Sequence, residues 1–157
     1  MQFAKYCFGL LVAGVFVMGC NKDKADPDLA AVVEGNYQVY AYRLGQDSVN
    51  LPTPPSSTVV SGTSTFVVNS SLSFKKSTNT QSSINFVFSA AKQQNINGAQ
   101  FTTSTSRNQT GTVDLVSNPG GSVVISSGGQ QLGAGDSQTV RLTLETSNGT
   151  LRVYAKR

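Results

Sequence analysis

The chain has 157 residues, room for one domain of ordinary size. Hydrophobic residues make up 38% and charged residues 13%, and the difference is filled by 20 Ser, 15 Thr, 11 Asn and 11 Gln beside 15 Gly. The net charge is +4 and there is no His and no Trp, which excludes a Ser-His-Asp triad, a Cys-His dyad and any imidazole metal site.

The N-terminus carries one cation, Lys5, before an apolar run from Cys7 to Met18 that is broken only by Gly9 and Gly14. A spanning helix needs ~20 apolar residues, so this shorter run reads as an export signal over residues 1–19. Its end, Val17-Met18-Gly19-Cys20, resembles the lipobox of bacterial lipoproteins. The resemblance implies cleavage before Cys20, a diacylglycerol on its sulfur and an acyl chain on its amine. Each buried CH₂ contributes ~0.8 kcal/mol, so two or more chains hold a protein on a membrane where one is marginal. That covalent lipid is the only attached group expected; no cofactor and no metal are. The resemblance places the protein in a bacterial cell envelope, on the outer membrane, facing the periplasm or the surface. After cleavage Cys20 is the single cysteine, so no internal disulfide can form.

Residues 20–34 follow as the lipidated Cys and a tether. The segment Asn21–Glu34 holds two Lys, three Asp and one Glu and reads as a solvated spacer without core residues. Its Lys and Asp also resemble a surface-export signal of lipoproteins in one Gram-negative phylum, and both readings stay open.

From Gly35 to Arg157 the pattern changes to short alternating runs punctuated by Gly, Pro, Asn and Ser, the mark of antiparallel strands. In the first run Tyr37, Val39 and Ala41 alternate with Gln38, Tyr40 and Tyr42. A loop with Pro52, Pro54 and Pro55 follows, which no central strand tolerates. Strands are then predicted over Thr63–Asn69 (Phe66, Val68), Ser71–Lys76 (Leu72, Phe74), Ser83–Ala90 (Ile84, Phe86, Phe88), Ala99–Ser106 (Phe101), Gly111–Ser117 and Ser122–Ser126. Asn95, Asn97 and Gly98 read only as breakers of one helical turn. Asn148-Gly149 is a two-residue hairpin signal. Centring a hairpin there sets Glu145 opposite Arg152, Leu144 opposite Val153 and Leu142 opposite Ala155. Val140, Leu142, Leu144, Leu151, Val153 and Ala155 then share one face, with Arg141, Thr143, Glu145, Arg152, Tyr154 and Lys156 on the other.

The expected fold is all-β, an antiparallel meander of about eight strands closed into a small barrel, with an immunoglobulin-like two-sheet sandwich as the alternative. Gly35-Asn36-Tyr37 stands where lipocalins and other calycins open their first strand with Gly-x-Trp. Arg152 lies in the last strand, where those folds pack an Arg over the first-strand aromatic. The domain therefore resembles the small lipocalin-like domains found behind a lipobox. By that resemblance Tyr37, Phe66, Phe74, Phe86, Phe88 and Phe101 line the interior, where a small hydrophobic ligand would sit if space is left.

No catalytic residue is assigned. The domain's acids, Asp47, Asp114, Asp136 and Glu145, are scattered, and nothing sets two of them at the ~5–9.5 Å a glycosidase needs. A carboxylate hydrolase built on Asp114 or Glu145 is the weakest reading. Gly120-Gly121, Gly128-Gly129 and Gly133-Ala134-Gly135 lack the Lys-Ser/Thr of a phosphate loop and read as turns. The domain holds nine Lys/Arg against four acids, and Tyr40, Tyr42 and Tyr154 are expected outside beside Arg152 and Lys156. In an exported protein such a face meets acidic glycans, lipid phosphates or a partner protein rather than nucleic acid. The expected function is a non-enzymatic envelope or cell-surface binding module, with a lipocalin-like carrier of a small hydrophobic ligand as the alternative.

Overall fold

The computed structural model describes residues 26–52 and 56–157. The export signal, the lipobox residues Val17, Met18 and Gly19, and Cys20 lie outside the described residues. A short helix, α1 (Leu29–Val33), precedes ten strands: β1 (Gly35–Leu44), β2 (Asp47–Asn50), β3 (Ser56–Ser61), β4 (Ser64–Lys76), β5 (Gln81–Ile96), β6 (Ala99–Asn118), β7 (Ser122–Ser127), β8 (Gln130–Gly135), β9 (Thr139–Thr146) and β10 (Gly149–Lys156). All pair antiparallel in one sheet, in the order β2-β1-β10-β9-β8-β7-β6-β5-β4-β3, and a further β1–β4 pairing closes it. The result is a ring of eight strands in meander order, the expected barrel, with no second sheet among the described residues to make a sandwich.

The ring is sealed at one end and splayed at the other. Gly35–Tyr37 of β1 pairs with Phe74–Leu72 of β4. Further along, Ala41–Leu44 pairs with β2 instead, and Ser64–Asn69 of β4 pairs with β3. An ion pair from Lys92 Nζ on β5 to Asp47 of β2 (2.7 Å) ties the splayed end together.

Strand alternation supplies the core. Along β5, Ser82, Ile84, Phe86, Phe88 and Ala90 point inward and their neighbours outward. Phe66, Val68, Leu72 and Phe74 of β4, Val113 and Leu115 of β6, and Leu142, Leu144, Leu151 and Val153 of the last two strands meet them. Each such side chain contributes ~1.5–3 kcal/mol on full burial. The Ser82 hydroxyl and Arg107 Nε are buried without a hydrogen-bond partner among the described residues.

Helix α1 corrects the tether. Five residues are too few to hold a helix in water, yet Leu29, Ala30 and Val33 are buried against the ends of β4–β7 and plug the sealed end. The Asp28 carboxylate caps α1 by accepting from Ala31 N–H (3.2 Å), and Ala30 N–H donates to the Asn79 carbonyl between β4 and β5 (3.0 Å). Lys76 pairs with Asp28 and holds its carboxyl below the usual range. Residues 29–33 therefore belong to the domain, and the spacer ends before them.

A bulge between Val39 and Ala41 changes the faces of β1. Strict alternation sends Tyr40 and Tyr42 outward together. The extra residue leaves Tyr40 outside, its carbonyl accepting from Leu51 N–H (2.7 Å), and turns Tyr42 into the core at 2% exposure. There Tyr42 meets Phe88 edge-on, with ring centroids 5.1 Å apart. Burial, reinforced by the nearby Asp47 charge, pushes its phenol up from 10.0 to about 12. Between those values the unfolded chain has lost this proton and the folded chain keeps it, so stability falls as pH rises above 10. Tyr42→Phe should flatten that alkaline limb in a pH series of urea melts; an unchanged limb would contradict the burial.

The hairpins also differ from expectation. Asn97 (φ 51°) and Gly98 (φ 83°) form the two-residue turn joining β5 and β6, the mirror-image turn that Asn-Gly favours. At the last hairpin Asn148 does not take positive φ; Gly149 does, at 104°. The loop is therefore Ser147-Asn148 with Thr146 opposite Gly149. Leu144 faces Leu151, Leu142 faces Val153, and Glu145 faces Thr150 rather than Arg152. The expected register was two residues off, and a two-residue slip preserves the faces, so the apolar assignment still holds.

Phe101 is the second correction to the interior. β5 and β6 stay paired out to Ile96 and Ala99, beyond the last β4–β5 pair at Gln94, so their tip projects past the rim. β7 pairs only with Asp114–Asn118 of β6. Phe101, paired with Gln94 of β5 at the rim, is 54% exposed and lines no interior.

Candidate functional site

Of the aromatic residues assigned to the interior, Tyr37, Phe66, Phe74, Phe86 and Phe88 are buried there. They fill the space rather than line it. Phe86 and Phe88 lie in a stacked arrangement (6.3 Å) and both are 0% exposed, as are Val113, Ile125, Leu142, Leu151 and Val153. A cavity able to take a ligand would leave accessible surface on its walls, and these walls have none. The grooves on the molecule, lined by residues of β8–β10, of β4–β6 and of the β1–β4 seam, are open to solvent.

The acids serve separate structural ends. Asp47 pairs with Lys92, Asp114 accepts from Gln81 Nε2 (2.8 Å), and Glu145 accepts from Thr150 Oγ1 (2.9 Å). Asp136 accepts from the backbone N–H of Gln138 and Thr139 (both 2.7 Å), which lowers its carboxyl below the usual range. Among the described residues no three His, Cys, Asp or Glu come together as metal ligands.

The arginine over the first-strand aromatic is Arg157, not Arg152. Its guanidinium lies 5.1 Å from the Tyr37 ring centre and donates to the Glu34 carbonyl. Gly35 (φ 143°) makes this possible, since a Cβ there would come 3.3 Å from Arg157 Nε. Arg157 thus pins the chain between α1 and β1 to the end of β10. Arg152 points outward, as the face separation implied, opposite Thr143.

What remains for binding is the outer face of β1, β10 and β9. Tyr154 and Arg141 are cross-strand partners, with the guanidinium 5.4 Å from the ring centre. Lys156 Nζ lies 5.7 Å over Tyr40. Arg43 and Arg152 stand directly opposite each other in register. None of these four cations forms an ion pair among the described residues, where Lys76–Asp28 and Lys92–Asp47 are the pairs found. An open groove of about 330 Å³ runs beside Tyr40, Arg141 and Tyr154 and is walled by Asp136 and Thr139. Tyr40, Tyr154, Arg152 and Lys156 were legible as an outer face from alternation. Tyr42 left that face through the bulge. Arg141 was legible on the same face of β9, though not as the partner of Tyr154, and Arg43 was missed because only the true register sets it beside Arg152.

Opposed like charges cost stability, so this face is not optimised for folding. Arg43→Glu converts the repulsive pair into an attractive one and should stabilise the domain by about 0.5–1 kcal/mol, raising its melting temperature by ~2–4 °C. Thermal unfolding of the two proteins checks this, and a lower melting temperature for the variant would contradict the pairing.

No protein-family model matches the sequence, no curated protein matches it, and no solved structure matches the fold.

Proposed function

We propose that the chain is a lipid-anchored lipoprotein of a bacterial outer membrane, and that it acts there as a non-enzymatic binding module through its outer face. The lipobox-like Val17-Met18-Gly19-Cys20 supports the anchor. The observation that carries the binding mode is the contrast between a barrel filled by its own side chains and an outer face of four cations without carboxylate partners. Ring closure in meander order, the plug formed by α1 and the Gly35–Tyr37–Arg157 arrangement support a lipocalin-like architecture. The filled interior speaks against the carrier alternative, because a small hydrophobic ligand could enter only by displacing Phe86 or Phe88.

The anchor is tested by fractionating cells that express the full chain. The wild-type protein should sediment with membranes, and Cys20→Ala should release it into the soluble fraction. Retention of the variant on the membrane would rule out Cys20 as the point of attachment.

A further inference from the structure

We infer that the outer face of β1, β10 and β9 binds a linear acidic polysaccharide, with its acidic groups held by Arg43 and Arg152 and by Arg141 and Lys156, and its sugar rings set against Tyr40 and Tyr154. The inference rests on the binding-module reading and names the ligand class for that face.

Charge complementarity selects an anion. Arg43 and Arg152 are opposed in register across β1 and β10 and neither forms an ion pair among the described residues, so a carboxylate or sulfate at that point meets two arginines. Neither Asp136, which lines the groove, nor Glu145 forms an ion pair with these cations among the described residues. Asp136 is turned into its own loop by Gln138 and Thr139, and Glu145 accepts from Thr150.

The geometry selects a polymer of sugars over a peptide. Arg152, Tyr154 and Lys156 follow one another on the same face of β10 at steps of ~6.8 Å, so cation, ring and cation repeat along a line. The groove beside Tyr40 and Tyr154 has the size of a sugar ring or two. β10 is paired on both sides, with β1 and β9, so it offers no free peptide groups for an extended peptide to pair with. Recognition there must use side chains alone.

The test is titration of the detergent-solubilised full chain with polygalacturonate, dextran sulfate, neutral dextran and polyglutamate, followed by calorimetry. The two acidic polysaccharides should bind, more weakly as salt rises from about 0.05 to about 0.5 M, and neutral dextran should not. Arg43→Gln with Arg152→Gln should weaken polygalacturonate binding about tenfold. Tyr40→Ala with Tyr154→Ala should weaken polygalacturonate but leave polyglutamate unchanged. Circular dichroism of each variant confirms its fold. Absence of binding to both acidic polysaccharides, indifference to the arginine pair, or polyglutamate binding as tightly as polygalacturonate would overturn the inference. Membrane fractionation of the same protein is read separately, so loss of glycan binding in an anchored protein counts against the ligand class and not against the anchor.

Discussion

Phe88→Ala is expected to destabilise the domain by about 3–5 kcal/mol, a large part of what a domain of this size has to lose. Phe88 is fully buried on β5, at the point where Tyr42 from β1 meets it edge-on and Phe86 stacks beside it. Truncation removes its transfer free energy, leaves a hole bounded by strands that are paired on both sides, and breaks two aromatic contacts worth about 0.5–1.5 kcal/mol each. Phe101→Ala is the internal control. Its side chain is exposed at the rim, and the substitution should change stability by less than about 0.5 kcal/mol. Urea denaturation of both variants checks the pair. Equal losses at the two positions would contradict the placement of the β5–β6 tip outside the core.

The second large effect is expected at Gly133. β8 and β9 are joined by only three register pairs, Gly133–Leu142, Ala134–Arg141 and Gly135–Val140. A Cβ on Gly133 would fall 2.0 Å from the Arg141 carbonyl oxygen and 3.0 Å from Leu142 Cα, all backbone that cannot swing aside. Gly133→Ala must therefore push β8 from β9. Strain of about 1–3 kcal/mol and loss of ladder bonds worth ~1 kcal/mol each give an expected cost of about 3 kcal/mol or more. Because the same seam carries Arg141, the variant should also disturb the groove beside Tyr154. A variant as stable as wild type in urea would show that β8 does not approach β9 as described.

The barrel was legible in the sequence wherever a strand has one apolar face. β4, β5, β9 and β10 alternate cleanly and their inward apolar residues are the predicted ones, although β4 is one strand where two, Thr63–Asn69 and Ser71–Lys76, are expected. Strands without that signal were lost or cut. β8 reads Gln-Gln-Leu-Gly-Ala-Gly because Gly133 and Gly135 sit where a Cβ has no room, so close packing replaced the hydrophobic pattern. β6 was split in two because Thr102–Thr112 runs along the barrel with its far edge unpaired by β7 and little of its length in the core. Asn148 reaches that edge, donating to the Ser104 carbonyl (3.0 Å). There Arg107 faces inward opposite Phe88, donating to Gln109 while its Nε finds no partner among the described residues.

The site was half legible for a related reason. Alternation gave the outward positions on β10, but membership of a face across strands depends on register. Register depended on which Gly took positive φ and on a bulge at Tyr40. Asn97-Gly98 and Asn148-Gly149 look alike as dipeptides, and only the first makes the mirror-image turn. The choice between Arg152 and Arg157 over Tyr37 followed from the same registers, because β1 pairs with β10 in a way that leaves Arg157 at the sealed end.

The proposed module is a filled barrel, held to a membrane by lipid, that works from its outside. Native mass spectrometry of the protein extracted from bacterial membranes reads both halves at once. The predicted species begins at Cys20, carries covalent acyl chains and retains no small apolar molecule when the detergent is stripped. A chain that still begins at Met1, or one that keeps a stoichiometric apolar ligand, would contradict it.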